Sequence, residues 1–154
     1  MVQGTLFRLS PQFLYGWRRF LLRSFGANIG KNVIVRPTAQ ITYPWKVSIG
    51  NYSWIGDEVV LYSLGKIEIG SNTVISQRSY ICTGSHQYNS ESFEIYSKNI
   101  SIGNKCWLAT DVYVAPSVNI GDFTIVGARS SVFSNLPSNK VCVGSPAKPI
   151  KDRK

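Results

Sequence analysis

At 154 residues the chain suits one domain that buries about two-thirds of its unfolded surface, with no linker or low-complexity stretch to divide it. Its 17 Lys and Arg against 8 Asp and Glu leave a net charge of +9, which favours an anionic partner such as a phosphorylated cofactor, nucleic acid or a membrane surface. Nucleic acid is disfavoured by the lack of a basic base-reading helix or RNA-binding aromatic motif, a membrane span by the lack of roughly 18 consecutive apolar residues, and a disulfide framework by three cysteines without CxxC spacing.

Pro11 to Phe25 reads as a short amphipathic helix, with Leu14, Trp17, Leu21 and Phe25 on one line and Arg18, Arg19 and Arg23 off it. Residues 1–28 would cap the open end of the structure that follows, or lie on an anionic membrane with the aromatic side buried. The arginines interrupt the apolar stretch, so no secretory signal is read and a cytoplasmic, reducing setting is expected, with the inner membrane face as a docking place.

From residue 29 to 136 an aliphatic residue followed by a small one returns every six positions, in Ile29-Gly30, Ile49-Gly50, Ile55-Gly56, Ile69-Gly70, Ile102-Gly103, Ile120-Gly121 and Val126-Gly127. The fifth slot of these units is small or β-branched: Ser53, Val59, Thr73, Ser79, Val112, Val118, Thr124 and Ser130. A period of six is neither helical nor the alternation of a flat sheet, and it calls for a repeating unit. A triangular coil of three hexads meets that demand, with the aliphatic residue inward and Gly, Asn or Asp at corners where the backbone angle is unusual. An ordinary sandwich of short strands does not hold a fixed phase over such a length.

Ile29 to Ile49 and Ile49 to Ile69 are each 20 residues, Ile102 to Ile120 is 18, and Ile69 to Ile102 is 33. The long step carries 13 extra residues, expected as a polar loop projecting near 86–99. After Pro137, with Pro146 and Pro149 breaking the pattern, residues 137–154 are expected to fold over the last coil as an irregular or briefly helical tail.

The chain's one histidine, His86, stands where the ladder stops, in Cys82-Thr83-Gly84-Ser85-His86-Gln87-Tyr88, and is the side chain that titrates near neutral pH unaided. A single histidine without a Cys or Asp cluster does not make a metal site within one chain, and no GxSxG supports a nucleophilic serine. Cys82, Cys106 and Cys142 read as packing residues.

The hexads resemble those of the left-handed parallel β-helix acyltransferases that use acyl-coenzyme A, including the maltose, galactoside and serine acetyltransferases. Phe25-Gly26-Ala27, Tyr43-Pro44-Trp45, Ile75-Ser76-Gln77, the Gly84-Ser85-His86 segment and Gly127-Ala128-Arg129-Ser130 are similar in particular to the colanic acid biosynthesis acetyltransferases, over nearly the whole chain. The resemblance implies an all-β, left-handed coil and a homotrimer with sites in clefts between chains. It implies acetyl-coenzyme A as co-substrate without a metal, and O-acetylation of a free, nucleotide-linked or lipid-linked sugar in surface polysaccharide synthesis. N-acetylation of an amino sugar, a zinc-dependent hydratase on the same fold and a non-catalytic membrane-docked scaffold are the competing readings.

Under this resemblance His86 matches the histidine that takes a proton from the acceptor hydroxyl. Thr110 and Ala128 match positions whose backbone meets the pantetheine arm, Trp107 flanks the site, and Lys148 and Lys151 match basic positions near the phosphates. Ser134-Asn135 stands where many relatives have Lys-Asp, with Arg129 or Lys140 as the candidate replacement for the lost phosphate contact. Asp57, Tyr62, Gln77, Ser85, Gln87 and Tyr88 are the acceptor-side candidates, and Gln87 replaces the Asp that relatives often carry after the histidine.

Overall fold

The computed structural model describes residues 3–154, with side chains from Gly4 onward. A parallel β-solenoid of about six turns dominates it, built from two- and three-residue strands on three faces. The first face stacks Asn28–Ile29, Val47–Ile49, Ile67–Ile69, Ile100–Ile102 and Asn119–Ile120. The second stacks Ile34–Val35, Trp54–Ile55, Val74–Ile75, Trp107–Leu108 and Ile125–Val126, and the third Gln40–Ile41, Val60–Tyr62, Tyr80–Cys82, Tyr113–Val114 and Ser131–Val132.

The hexad ladder is the pairing register itself. Ile29 pairs with Ile49, Ile49 with Ile69, Ile69 with Ile102, and Ile102 with Ile120. The 33-residue step is therefore one coil plus an insertion. The aliphatic residues form one buried column, and all eight fifth-slot residues are at most 1% exposed.

The hydroxyls in that slot explain its preference for Ser and Thr, because each links one coil to the next. Ser53 Oγ donates to the Gly70 carbonyl at 2.7 Å and accepts from the Thr73 N–H at 3.0 Å, and Thr73 Oγ1 repeats this with the Gly103 carbonyl and the Cys106 N–H at 2.7 and 3.1 Å. A buried hydroxyl costs little when both its donor and acceptor capacities are met.

The corners correct one expectation. Left-handed backbone angles fall on Asn32, Tyr52, Glu58, Asn72, Arg78, Asp111 and Arg129, with φ between 52° and 60°, and not on the ladder glycines. Those glycines answer to close approach. A Cβ on Gly50 would lie 2.5 Å from the Ser71 nitrogen, and one on Gly70 would lie 2.6 Å from the Gly103 carbonyl group.

Helix α1 (Tyr15–Ser24) packs against the first coil as a cap, but of the expected apolar line only Leu21 is buried, with Leu22 and Arg18 beside it, while Leu14, Trp17 and Phe25 stay exposed. Arg18 is fully buried and donates to the carbonyls of Val35 at 2.7 Å, Pro11 at 3.0 Å and Gln12 at 2.5 Å, and to Ser10 Oγ at 2.8 Å. Arg19 reaches the Val33 carbonyl at 2.9 Å, and Arg23 the Ile29 and Gly30 carbonyls at 2.7 and 3.0 Å. The reason lies in the ladder's polarity. At the ends of the face strands, lower-coil N–H groups donate to the carbonyls of Ile49, Ser53 and Ile55 above them, so the matching first-coil carbonyls of Ile29, Val33 and Val35 face downward with no coil beneath, and guanidinium groups satisfy them where apolar side chains cannot.

The tail also differs from expectation. Lys140–Gly144 adds a parallel strand beside Ile125–Val126, and Ala147–Asp152 returns antiparallel to it. The upper edge of the second face is thus extended by a hairpin. Backbone pairing prevails over the prolines because Pro146 sits in the turn and Pro149 on the outer strand.

Two glycines with opposite environments test this packing. Gly70→Ala is expected to lower unfolding free energy by about 2 kcal/mol or more, because only backbone can yield. In α1, a Cβ on Gly16 meets only an Arg19 nitrogen at 3.8 Å, so Gly16→Ala is expected to raise stability by about 0.5–1 kcal/mol. Urea unfolding of both variants measures the contrast.

Candidate active site

The inserted segment leaves the corner after the third face as an antiparallel hairpin, Gly84–His86 against Ile95–Ser97, a more ordered element than the loop read from composition. Thr83 fixes its root. Its hydroxyl, wholly buried, donates to the Tyr62 carbonyl at 2.6 Å and accepts from the Gly65 N–H at 2.8 Å, while its own carbonyl accepts from the Lys98 N–H at 2.9 Å. Gly84 leaves room for two side chains, since a Cβ there would lie 2.6 Å from Leu64 Cδ1 and 2.9 Å from Tyr62 Cε1.

His86 is exposed at the end of the first hairpin strand, and its Nδ1 lies 2.5 Å from the Phe93 carbonyl oxygen. A carbonyl only accepts, so Nδ1 carries the hydrogen and a neutral ring keeps its free lone pair on Nε2. Phe93 adopts φ 46°, and its N–H donates to the Ser90 carbonyl at 3.2 Å. The tight turn that aims this carbonyl is what orients the imidazole. A cleft of about 490 Å³ opens beside the ring, lined by His86, Gln87, Tyr88, Tyr96, Ser97 and Lys98 among others. Ser85 lies half-buried next to it, paired with Tyr96.

The coenzyme-side candidates Thr110 and Ala128 assemble elsewhere, together with the acceptor-side candidates Asp57 and Gln77. Trp54–Ile55, Val74–Ile75, Trp107–Leu108 and Ile125–Val126 are in register, so the residues two positions on, Asp57, Gln77, Thr110 and Ala128, form one column at the corner between the second and third faces. Thr110 Oγ1 donates to the Gln77 carbonyl at 3.0 Å, and the Arg129 N–H to the Thr110 carbonyl at 2.9 Å. Beside the column runs a charged one. Arg78 grips Asp111 through two hydrogen bonds at 2.8 and 3.0 Å and holds its carboxyl below the usual range, while Arg129 approaches the same carboxylate at 3.7 Å. Neither arginine's pairing was readable from the hexads, although their alternating charges at matching corners carried the signal.

Other candidates have structural ties. Asp57 accepts from Arg36 at 2.7 Å and Thr38 at 2.8 Å, so its carboxylate is engaged. Trp107 stands exposed on the second face and donates to Ser76 Oγ at 3.0 Å. Lys148 and Lys151 are exposed on the returning tail strand, and among the described residues neither forms an ion pair, whereas Lys140 pairs with Asp152. Tyr62 lies beneath the hairpin root and begins an aromatic ladder up the third face, through Tyr80 at 6.2 Å, Tyr113 at 6.3 Å and Phe133 at 5.8 Å.

The two groups do not meet in one chain. The column stands at one edge of the third face and the hairpin at the other, six residues apart from Gln77 to Thr83, or roughly 15–20 Å of extended backbone. None of the column residues lines the cleft beside His86.

This coil is the architecture of the hexapeptide-repeat acyltransferases, a left-handed parallel β-helix. The chain superposes on a maltose O-acetyltransferase from Clostridium difficile 630 with a TM-score of 0.92 at 27% identity, covering 99% of this chain and 83% of that one. A galactoside acetyltransferase solved in complex with coenzyme A gives 0.86 at 25% identity, over 99% and 78%. No family model matches the sequence. A protein of Escherichia coli K12 named as colanic acid biosynthesis acetyltransferase WcaF is 62% identical over 152 residues, 99% of this chain and 84% of that protein. The chain belongs to this family of colanic acid biosynthesis acetyltransferases and is an acetyltransferase of polysaccharide biosynthesis.

Two substitutions probe the site's frame. Thr83→Val strands the Gly65 N–H and removes one of two donors from the Tyr62 carbonyl, which keeps the Thr83 N–H at 3.1 Å, and is expected to cost about 1–3 kcal/mol in urea unfolding while loosening the hairpin. Burial, with the Cys82 thiol alongside, pushes the Tyr113 phenol up to about 12. Its stabilising contribution is complete below the unfolded phenol's range near 10 and is lost as pH rises towards 12. Tyr113→Phe is therefore expected to flatten the fall in stability over that window, read by denaturation at stepped pH.

Proposed function

We propose that the chain transfers the acetyl group of acetyl-coenzyme A to a hydroxyl of a sugar, with His86 as general base, in a homotrimer whose sites lie between chains. The observation that carries this reading is the Nδ1 contact with Phe93, which leaves Nε2 as a free acceptor facing open space. A sugar hydroxyl is a weak nucleophile at neutral pH, and an imidazole within hydrogen-bond reach takes its proton as the new bond forms. Ser85, Gln87 and Tyr88, around the same cleft, are the residues placed to hold the acceptor.

The column residues fit coenzyme A. Ala128 is exposed and small, so its side chain leaves the column open to a long, flat chain. Trp107 offers an apolar wall on the adjoining face, and Lys148 and Lys151 provide uncommitted cations for phosphates. Acetyl-coenzyme A supplies an activated thioester there. A backbone N–H held on the rigid coil is suited to receive the negative charge that develops on the carbonyl oxygen.

The trimer is supported by how the three faces differ. Outward residues of the first face are polar: Asn28, Ser48, Glu68, Ser101 and Asn119. The second presents Ile34, Trp54, Val74, Trp107 and Ile125, and the third the Tyr62 to Phe133 ladder. Two adjoining apolar faces on a closed-ended prism suit contacts with two neighbours, which a threefold ring provides. Such packing also brings the hairpin of one chain to the column of another. Three unpaired thiols, Cys82, Cys106 and Cys142, suit a reducing cytoplasm.

His86→Ala is expected to reduce thiol release from acetyl-coenzyme A by about 10²- to 10⁴-fold across a panel of free, nucleotide-linked and lipid-linked sugars, while thermal stabilisation by coenzyme A is retained. Unchanged turnover in this variant would remove the base assignment. No stabilisation of the wild type by millimolar coenzyme A would remove the coenzyme assignment.

A further inference from the structure

With the arginines of α1 turned into the coil, the other side of the N-terminal segment is left apolar and uncovered. Leu9 is 77% exposed, Phe13 76% and Phe20 58%, and Leu6, Trp17 and Phe25 join them. The patch is ordered. Trp17 and Phe20 stack with ring centroids 5.8 Å apart, and Trp17 Nε1 donates to the Leu6 carbonyl at 3.0 Å, tying the first turn, Gln3–Phe7, to the helix. A contiguous exposed surface of this kind marks a docking site.

Charge and position identify the occupant. The first 56 residues hold 7 of the chain's 17 basic residues and none of its 8 acidic ones, which begin at Asp57. Arg8 and Lys31 are exposed on this same N-terminal end. Aromatic and aliphatic side chains set in a positive field match an anionic bilayer surface, where the rings enter the headgroup boundary and the cations meet lipid phosphates. The patch closes the bottom of the prism, outside the lateral faces through which chains would pack. In the trimer proposed above, on which this step rests, three such caps point in one direction and lie in one plane, so weak single insertions add by avidity.

We infer that the N-terminal cap docks the enzyme on an anionic membrane through its apolar side, with the arginines of α1 structural and not the primary lipid contacts.

The full chain is tested by sedimentation with vesicles of phosphatidylglycerol and phosphatidylethanolamine, and with vesicles of phosphatidylcholine alone. The wild type is expected to pellet with the anionic vesicles, and Phe13→Ser/Phe20→Ser to bind roughly tenfold less or weaker, with coenzyme-induced stabilisation unchanged. A wild type that stays in the supernatant at low salt, or a double variant that binds equally, overturns the inference. So does a wild type that runs as paired trimers which the double variant separates, because the patch then belongs to a second copy. A monomeric mass in sedimentation velocity overturns the trimer separately, without deciding whether a single cap binds lipid.

Discussion

Everything in this molecule depends on how closely one coil can sit on the next. Backbone donors and acceptors pair between coils at about 2.7–3.1 Å, and at the ladder corners the approach leaves no room for a Cβ. A stack so tight has no freedom to slip. Because register is fixed, every corner becomes a straight column, and side chains far apart in sequence are aligned along one edge. Asp57, Gln77, Thr110 and Ala128 span 71 residues of chain yet occupy equivalent positions on four successive coils.

The same constraint keeps catalytic parts apart. A rigid triangular coil can grow an insertion at a corner without disturbing its neighbours, and the hairpin uses that freedom at one edge of the third face. The column lies at the other edge, and no bending of the coil can join them. Under the proposed mechanism the base and the held thioester would come from two chains, which would give the apolar second and third faces a purpose beyond burial. The ends of the stack impose their own requirement. Downward-facing carbonyls at the first coil draw in Arg18, Arg19 and Arg23, and the upper edge of the second face is covered by the tail hairpin.

The stacking register of the coil was legible in the residues, while its hand came from the family resemblance. The 20-, 33- and 18-residue steps between isoleucines are the pairing register, because burial in a narrow prism leaves no alternative phase. What escaped were features decided by backbone polarity. Arginines on a helix read as solvent-facing until unpaired carbonyls are known to lie beneath them. Prolines in the tail read as breakers, although their places in a turn and on an outer strand spare the hydrogen bonds. His86 stood out by being alone, but the Phe93 carbonyl that orients it belongs to a backbone turn that no side-chain pattern encodes. The column candidates were placed by hexad phase, and their charged companions Arg78 and Asp111 were missed because exposed corner charges look alike in sequence.

The central claim, that His86 of one chain works with the column of another, is tested most directly by mixing two inactive proteins. His86→Ala lacks the base, and Ala128→Trp obstructs the exposed column position. Co-expressed in equal amounts and purified as mixed trimers, they should recover about one third of wild-type acetyl transfer, because each mixed ring holds one site of three built from an intact hairpin and an intact column. Mixed trimers no more active than either parent alone would show that each chain holds its own complete site, and would contradict the account.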